Sequence, residues 1–394
     1  MLFRSQFYSR VAAPVTGFDP LAWNLTEKEL DLLDPTTQFA LAASWMAIRD
    51  AGLSAKVTNP KRGFQEIQEA DPDRIATILG TGIGGLSTIA TSHEIWVRNP
   101  KGERPKAKRY SLPMLIPNAV PAQVAIKYQA RGECKAVTTA CAAGTMAIGD
   151  AFRLLRDGEA DMAIAGGAEC ALSTPDGYGF IGFDLLRTMS SRNHEPAKAS
   201  RPFDKERDGF VLSEGAGIVI LERLEHAKAR GARIYAEVGG YVANCEAYHM
   251  IMLDPEIRRI TRLMEQIFRA TGVRPEEVDY INAHGTSTPI NDRTETMAIR
   301  SAFGSHADNL LVSSTKSMTG HAIGASGGIE VIATALALHT GIVPPTINLE
   351  VPDPECDLNY VPNRSVTREI RVALSNSYGF GGHNASLLLR KYPS

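Results

Sequence analysis

The chain has 394 residues, enough to bury a large core, and 44% of them are hydrophobic. Forty-two Lys and Arg stand against 44 Asp and Glu, a net charge of −2 that offers no general attraction to nucleic acid or to an anionic membrane. No apolar run approaches the roughly 20 residues of a membrane-spanning helix, and the five cysteines show no CxxC spacing, which argues against both a zinc site and a disulfide framework. A reducing compartment, the cytoplasm in the simplest case, is expected.

The start, Met1 to Phe18, carries Arg4 and Arg10 and no acid before Asp19. It is transit-peptide-like in composition but short and without a clear amphipathic run, so an ordinary or truncated start is the reading adopted. Thr36 to Ala51 is a predicted helix stopped by Gly52. Arg74 to Leu79 reads as a buried strand leading into the glycine-rich stretch Gly80 to Gly85. No acid-ending second strand follows at dinucleotide spacing, so those glycines are taken as close-packing positions. A helix over Pro117 to Ala130, a strand over Cys134 to Thr139, a helix over Cys141 to Leu155 and a strand over Asp161 to Gly166 follow. Ile218 to Glu222 is strand-like and Arg223 to Arg230 a charged helix.

From there the order restarts. Strands are expected at Ile234 to Gly240, Val278 to Asn282 and Leu310 to Val312, with helices at Pro255 to Thr271 and His321 to His339. Arg371 to Leu374 and Ala385 to Leu389 read as a closing pair of strands. Alternating helices and apolar strands mean α/β layers. The chain therefore divides into 1–231 and 232–394, two halves packed as one unit.

Thr139 to Gly144 and Thr319 to Gly324 both read Thr-x-(Cys or His)-Ala-x-Gly, each opening a small-residue helix. Aligned on this echo, Cys141 and His321 occupy matching places. A thiol at a helix N-terminus is expected to favour thiolate, whereas Cys134, Cys170, Cys245 and Cys356 read as structural. His284 follows a predicted strand, at the kind of strand end where sites gather in α/β folds. One thiol and two such histidines form a constellation for thioester chemistry. Thr286 and Thr288 are able to hydrogen-bond an amide-bearing substrate arm or simply to build a turn. The glycines from Gly379 to Gly382 allow an exposed amide that joins the Cys141 amide as an oxyanion hole, or a tight β-turn, and both readings can hold. The run Asp204 to Asp208 fits a solvated loop or the rim of an entrance. The other histidines stand in helical, charged or loop contexts.

Taken together, Thr139 to Gly144, Gly166 to Glu169, Arg201 to Phe210, Asn282 to Pro289, Ser314 to His321, Pro344 to Asn348 and Asn376 to Gly382 resemble the β-ketoacyl-acyl carrier protein synthases, closest to the type II elongating enzymes. The resemblance implies a thiolase-like α/β fold, two similar halves in a five-layer α-β-α-β-α sandwich, normally a homodimer. It implies that 1–231 carries the nucleophile and 232–394 both catalytic histidines. Cys141 would take an acyl chain from acyl carrier protein, and His284 and His321 would support decarboxylation of malonyl-acyl carrier protein. The amides of Cys141 and Phe380 would hold the oxyanion, with the Phe380 side chain as gate. Lys316 and Glu330 match the family's supporting charged pair, and Thr286 and Thr288 its phosphopantetheine contacts. No metal and no cofactor beyond the carrier-bound phosphopantetheine is expected, and neither nucleic acid nor a membrane is an expected partner.

Three departures are expected to matter. Members usually begin with a strand–helix unit before the equivalent of Phe18, and here that unit is read as missing. The stretch Lys28 to Asp34 is acidic where many members carry a basic carrier-docking segment. Ile251 stands where many have a hydroxyl for pantetheine. The competing readings are a non-catalytic ketosynthase-like partner or inactive truncated form, and a Cys-His hydrolase. Cys141 argues against a chain-length factor, and the second histidine argues against the hydrolase.

Overall fold

A computed structural model of the chain describes residues 7–99, 106–174 and 177–393. Residues 1–6, where the leader-like composition begins, lie outside the described residues. Ser9 donates its backbone N–H to the Asp184 carboxylate at 2.8 Å, and Ala12 and Ala13 pair in parallel with Leu212 and Ser213.

Two sheets carry the fold. In chain order the main elements of the first half are α1 (Pro35–Asp50), β1 (Ile75–Gly80), α2 (Ala119–Tyr128), β2 (Cys134–Val137), α3 (Ala143–Arg156), β3 (Met162–Glu169), α4 (Tyr178–Leu185) and β4 (Gly215–Glu222). Those of the second are β5 (Ala236–Cys245), α5 (Arg258–Thr271), β6 (Tyr280–Asn282), α6 (Pro289–Phe303), β7 (Leu311–Ser313), α7 (Ser326–Thr340), β8 (Val372–Gly379) and β9 (His383–Lys391). The first sheet runs β2-β1-β3-β4 and the second β7-β6-β8-β9-β5. In each sheet the inner strands are parallel and β4 or β9 runs antiparallel to its neighbour. The sheets therefore share one topology, with a single difference: β5 has no counterpart beside β4 among the described residues. The last four residues of β4 are accordingly only half-buried, whereas in the matching stretch of β9 Leu387, Leu388 and Leu389 are buried.

The strands alternate between two cores, as period-2 geometry requires when both faces are covered. In β1, Ala76 and Ile78 face the central helices α3 and α7, and Ile75 and Leu79 face α1 and α2 on the outside. On the far side Ile281, Leu374 and Leu388 pack against α5 and α6 through Ile260, Ile267, Ala298 and Ile299. The result is five layers, α-β-α-β-α. By length and composition alone Ile323–Thr340 is apolar enough to cross a membrane, but it lies between the two sheets and is a core helix.

Glycine lets the layers meet. A Cβ on Gly80 would fall 2.3 Å from the Ala143 carbonyl carbon, and one on Gly144 would fall 2.8 Å from the Gly328 nitrogen. The stretch Gly80 to Gly85 is thus a close-packing loop, as its sequence suggests.

The structure changes the register of the internal repeat. A single 3-10 turn, Ala140–Ala142, leads into α3, and its counterpart leading into α7 is Ile323–Ala325. Each turn begins on a non-glycine residue at positive φ, Ala140 at 48° and Ile323 at 46°, a strained conformation. The residue matching Cys141 is therefore Gly324. The echo that aligned Cys141 with His321 is three residues out of register, because it followed side-chain pattern where the backbone turn sets the repeat.

Candidate active site

Cys141 sits in the turn between β2 and α3, 4% exposed. His321 does not arrive from a helix start. It lies on an extended stretch whose N–H donates to the Val211 carbonyl at 2.8 Å and whose carbonyl accepts from Ser213 at 3.0 Å. That pairing aims its Nε2 at the Cys141 sulfur, 3.0 Å away, while Nδ1 lies 2.9 Å from the Ser326 hydroxyl on the first turn of α7. His284 follows β6. Its backbone N–H and that of Gly285 donate to the buried Glu295 carboxylate at 2.9 and 2.8 Å. The two imidazoles meet edge to face with centroids 5.5 Å apart, and the Cys141, His284 and His321 ligand atoms all lie within 4.8 Å of one another.

Lys316 organises this corner. Its ammonium donates to the His284 carbonyl at 2.6 Å, ion-pairs with Glu330, and lies 3.4 Å from His284 Nδ1. An ammonium only donates, so His284 Nδ1 is the acceptor and Nε2 carries the proton. Burial, the Lys316 charge and His321 hold His284 neutral, well below its usual range, and burial and Lys316 do the same for His321. The Ser326 hydroxyl can donate to or accept from His321 Nδ1, and when it donates, His321 also presents Nε2–H. Two neutral imidazoles thus converge beside one sulfur.

The thiol itself departs from the thiolate expectation. Burial pushes Cys141 up to about 12, against the lowering effect of the Lys316 charge and the Phe380 backbone N–H. Desolvation of a buried anion outweighs one short turn's partial charge. Alkylation of Cys141 by iodoacetamide is therefore expected to rise about tenfold per pH unit from pH 7 to 9. A rate already level below pH 8, followed by mass spectrometry, would show a resident thiolate instead.

These groups line one cavity of about 370 Å³, together with Thr286, Thr288 and Phe380. The Thr286 and Thr288 hydroxyls hydrogen-bond each other at 2.9 Å. Phe380 sits in the β8–β9 turn, where Gly381 and Gly382 take φ of 82° and 77°. A Cβ on Gly379 would fall 3.2 Å from the Cys141 nitrogen, so β8 ends close against the nucleophile turn. The tight turn is present, and it brings the Phe380 N–H to the Cys141 sulfur.

Some expectations change. The run Asp204 to Asp208 is a loop only partly solvated: Lys205, Glu206 and Asp208 are exposed, but Arg201 and Asp204 form a buried pair at 2.9 Å, Arg207 is buried, and Asp208 borders the cavity. Asp34, in the stretch expected to oppose carrier docking, is buried and bonds the N–H of Thr36 and the N–H and hydroxyl of Thr88. Cys134 and Cys245 are exposed rather than core residues, and all five thiols are free. Ile251 does line the cavity. Sequence reasoning gave no role to Ser326, Glu295 or Tyr378, which also lines the cavity. A buried acid on the apolar face of α6 was the available signal for Glu295.

Comparison with known proteins matches residues 4–227 to "Beta-ketoacyl synthase, N-terminal domain" and 235–350 to "Beta-ketoacyl synthase, C-terminal domain". The chain is 49% identical over 383 residues to the 3-oxoacyl-[acyl-carrier-protein] synthase 2 of Synechocystis sp., covering 97% of this chain and 88% of that one. It is 45% identical over 387 residues to the protein of the same name from Coxiella burnetii, covering 98% and 89%. Among solved structures, a type II PKS acyl-carrier protein in complex with its ketosynthase bound to the hexaketide matches with a TM-score of 0.85, 35% identity and coverage of 99% and 90%. A β-ketoacyl synthase from Burkholderia phymatum matches with a TM-score of 0.85, 30% identity and the same coverage.

Proposed function

The chain belongs to the β-ketoacyl synthase family, and from that premise we propose that it is the acyltransferase that condenses an acyl thioester on Cys141 with malonyl-acyl carrier protein, giving 3-oxoacyl-acyl carrier protein in fatty acid or polyketide elongation. The observation that carries the reading is the pair of neutral imidazoles beside a buried thiol in one cavity, His284 with Nε2–H and His321 with Nε2 3.0 Å from the sulfur.

In the first half-reaction the Cys141 sulfur attacks the incoming acyl carbonyl, the carrier carbon–sulfur bond breaks, and the Cys141 proton ends on the carrier sulfur, which departs as the thiol. In the second, the malonyl thioester oxygen accepts the His284 and His321 N–H groups. Carbon dioxide leaves and its bonding electrons remain as an enolate, whose charge those donors stabilise. The enolate carbon attacks the Cys141 thioester. The tetrahedral oxyanion is held by the Cys141 and Phe380 amides and collapses by expelling the Cys141 thiolate. Thr286 and Thr288 fit a polar contact to the phosphopantetheine arm at the cavity mouth. Lys316 and Glu330 act through His284, holding its tautomer. Both substrates arrive on acyl carrier protein, and no free cofactor enters this scheme.

A homodimer suits the same reading. The edge strand β2 is exposed over its first two residues, whereas its counterpart β7 is fully buried. Leu185 and Tyr178 on α4 also stand 75% and 57% exposed, and such uncovered edges and apolar residues suit a partner surface. Sedimentation is expected to give twice the 42.6 kDa chain mass; a single-chain mass at micromolar concentration overturns the dimer.

The direct test supplies acyl- and malonyl-acyl carrier protein and follows products by mass spectrometry. A 3-oxoacyl product two carbons longer than the acyl donor is expected. A folded protein that neither takes up acyl mass nor extends the chain rejects the reading.

A further inference from the structure

Placed in register, the duplication shows a second turn built like the nucleophile turn, with Gly324 in the place of Cys141. Over the Cys141 amide stands the last residue of β8, Gly379. The last residue of β3 is Glu169, at the matching point of its own antiparallel pair with β4. Its carboxylate fills the space over the second turn. Oε2 accepts the Gly324 N–H at 3.1 Å and the Gly82 N–H at 2.5 Å, and Oε1 accepts the Ile83 N–H at 3.3 Å and the Thr81 hydroxyl at 3.1 Å. Thr81 Oγ1 accepts from Gly84 at 3.0 Å, which leaves its own proton for Glu169. Burial pushes this carboxyl, 1% exposed, up to about 7, but four donors oppose the rise and leave no acceptor for a carboxyl proton, an arrangement that selects the anion. A Cβ on Gly82 would lie 2.8 Å from Oε2, so glycine is required for this approach.

We propose that Glu169 is a positioning residue for the condensation: its carboxylate is an internal anion seated in the amide pocket of the second turn, where the first turn keeps its amide for the substrate oxyanion. The carboxylate clamps Gly324. That clamp fixes Ile323, which lines the cavity, and the start of α7, where Ser326 holds His321 Nδ1. It also joins the loop after β1 to the second half, so one side chain sets how the His321 side meets the Cys141 side. The inference rests on the role given to His321 above.

Shape and charge make opposite predictions, which supplies the test. Glu169→Gln keeps the size but turns an N–H₂ group toward N–H donors, whereas Glu169→Asp shortens the arm and keeps the anion. The Gln variant is expected to lose about 10²-fold in kcat, the scale of an ångström-level misplacement, with KM for malonyl-acyl carrier protein within about threefold. Its Cys141 is still expected to be acylated. The Asp variant is expected to retain more activity than the Gln variant. Wild-type kcat in Glu169→Gln, or more activity in Gln than in Asp, overturns the proposal. If Glu169→Gln does not fold, Thr81→Val carries the test, because it deletes one donor and keeps the carboxylate: a kcat about tenfold lower supports the clamp and an unchanged kcat overturns it. Failure here is distinct from failure of the functional reading, in which the wild-type protein itself would not become acylated.

Discussion

Replacing Cys141 with alanine is expected to remove the acyl mass from the protein and the 3-oxoacyl product together, with a loss of condensation on the order of 10⁴-fold or more, the scale of deleting a covalent nucleophile. The change deletes one sulfur that already borders an open cavity, so folding stability is expected to change by only about 1 kcal/mol. The exposed thiols supply the control. Cys134→Ala and Cys245→Ala are expected to leave the acyl mass in place. Acyl mass that persists in Cys141→Ala, located by peptide mapping on another residue, would move the nucleophile elsewhere and remove the basis of the mechanism.

Lys316→Ala is expected to damage both fold and chemistry. Lys316 is 1% exposed and Glu330 2%, so the variant leaves a buried carboxylate without its partner. Breaking such a pair costs about 3–5 kcal/mol. The His284 carbonyl also loses its donor and Nδ1 loses the group that fixes the tautomer. Condensation is expected to fall about 10²-fold or more as one of the two N–H donors loses its orientation. The double change Lys316→Met with Glu330→Leu separates the two effects, because it removes both buried charges. It is expected to recover much of the stability, read by denaturant unfolding, and none of the activity. A single variant as stable and active as the parent would show that the pair supports neither the fold nor His284.

The elements were legible because their signals are local. Apolar runs such as Arg74 to Leu79 fall on strands buried on both faces, and the small-residue stretches after Cys141 and His321 fall on the two central helices. The site residues were legible for the same reason, since each sits in a short segment rich in glycine and small residues after a strand. What misled was also local. The Thr-x-(Cys or His)-Ala-x-Gly echo placed His321 at a helix start, whereas it lies on an extended segment ahead of the strained turn at Ile323. Asp204 to Asp208 is a loop, as read, but nothing nearby in sequence shows that Arg201, Asp204 and Arg207 are buried against the second half.

Taken alone, the sequence determined which groups the chain owns and which segments carry them: one thiol in a small-residue turn, two histidines after apolar stretches, and alternation that requires layered sheets. Hydrophobic period and glycine spacing are nearest-neighbour properties, so they can be read without a fold. Only the tertiary structure decided that Cys141 and His321, 180 residues apart, stand 3.0 Å from each other, that the thiol is protonated and both imidazoles neutral, and that Glu169 fills the turn matching the nucleophile's. Those outcomes depend on desolvation and on contacts between distant segments, which exist only once both sheets close around the central helices.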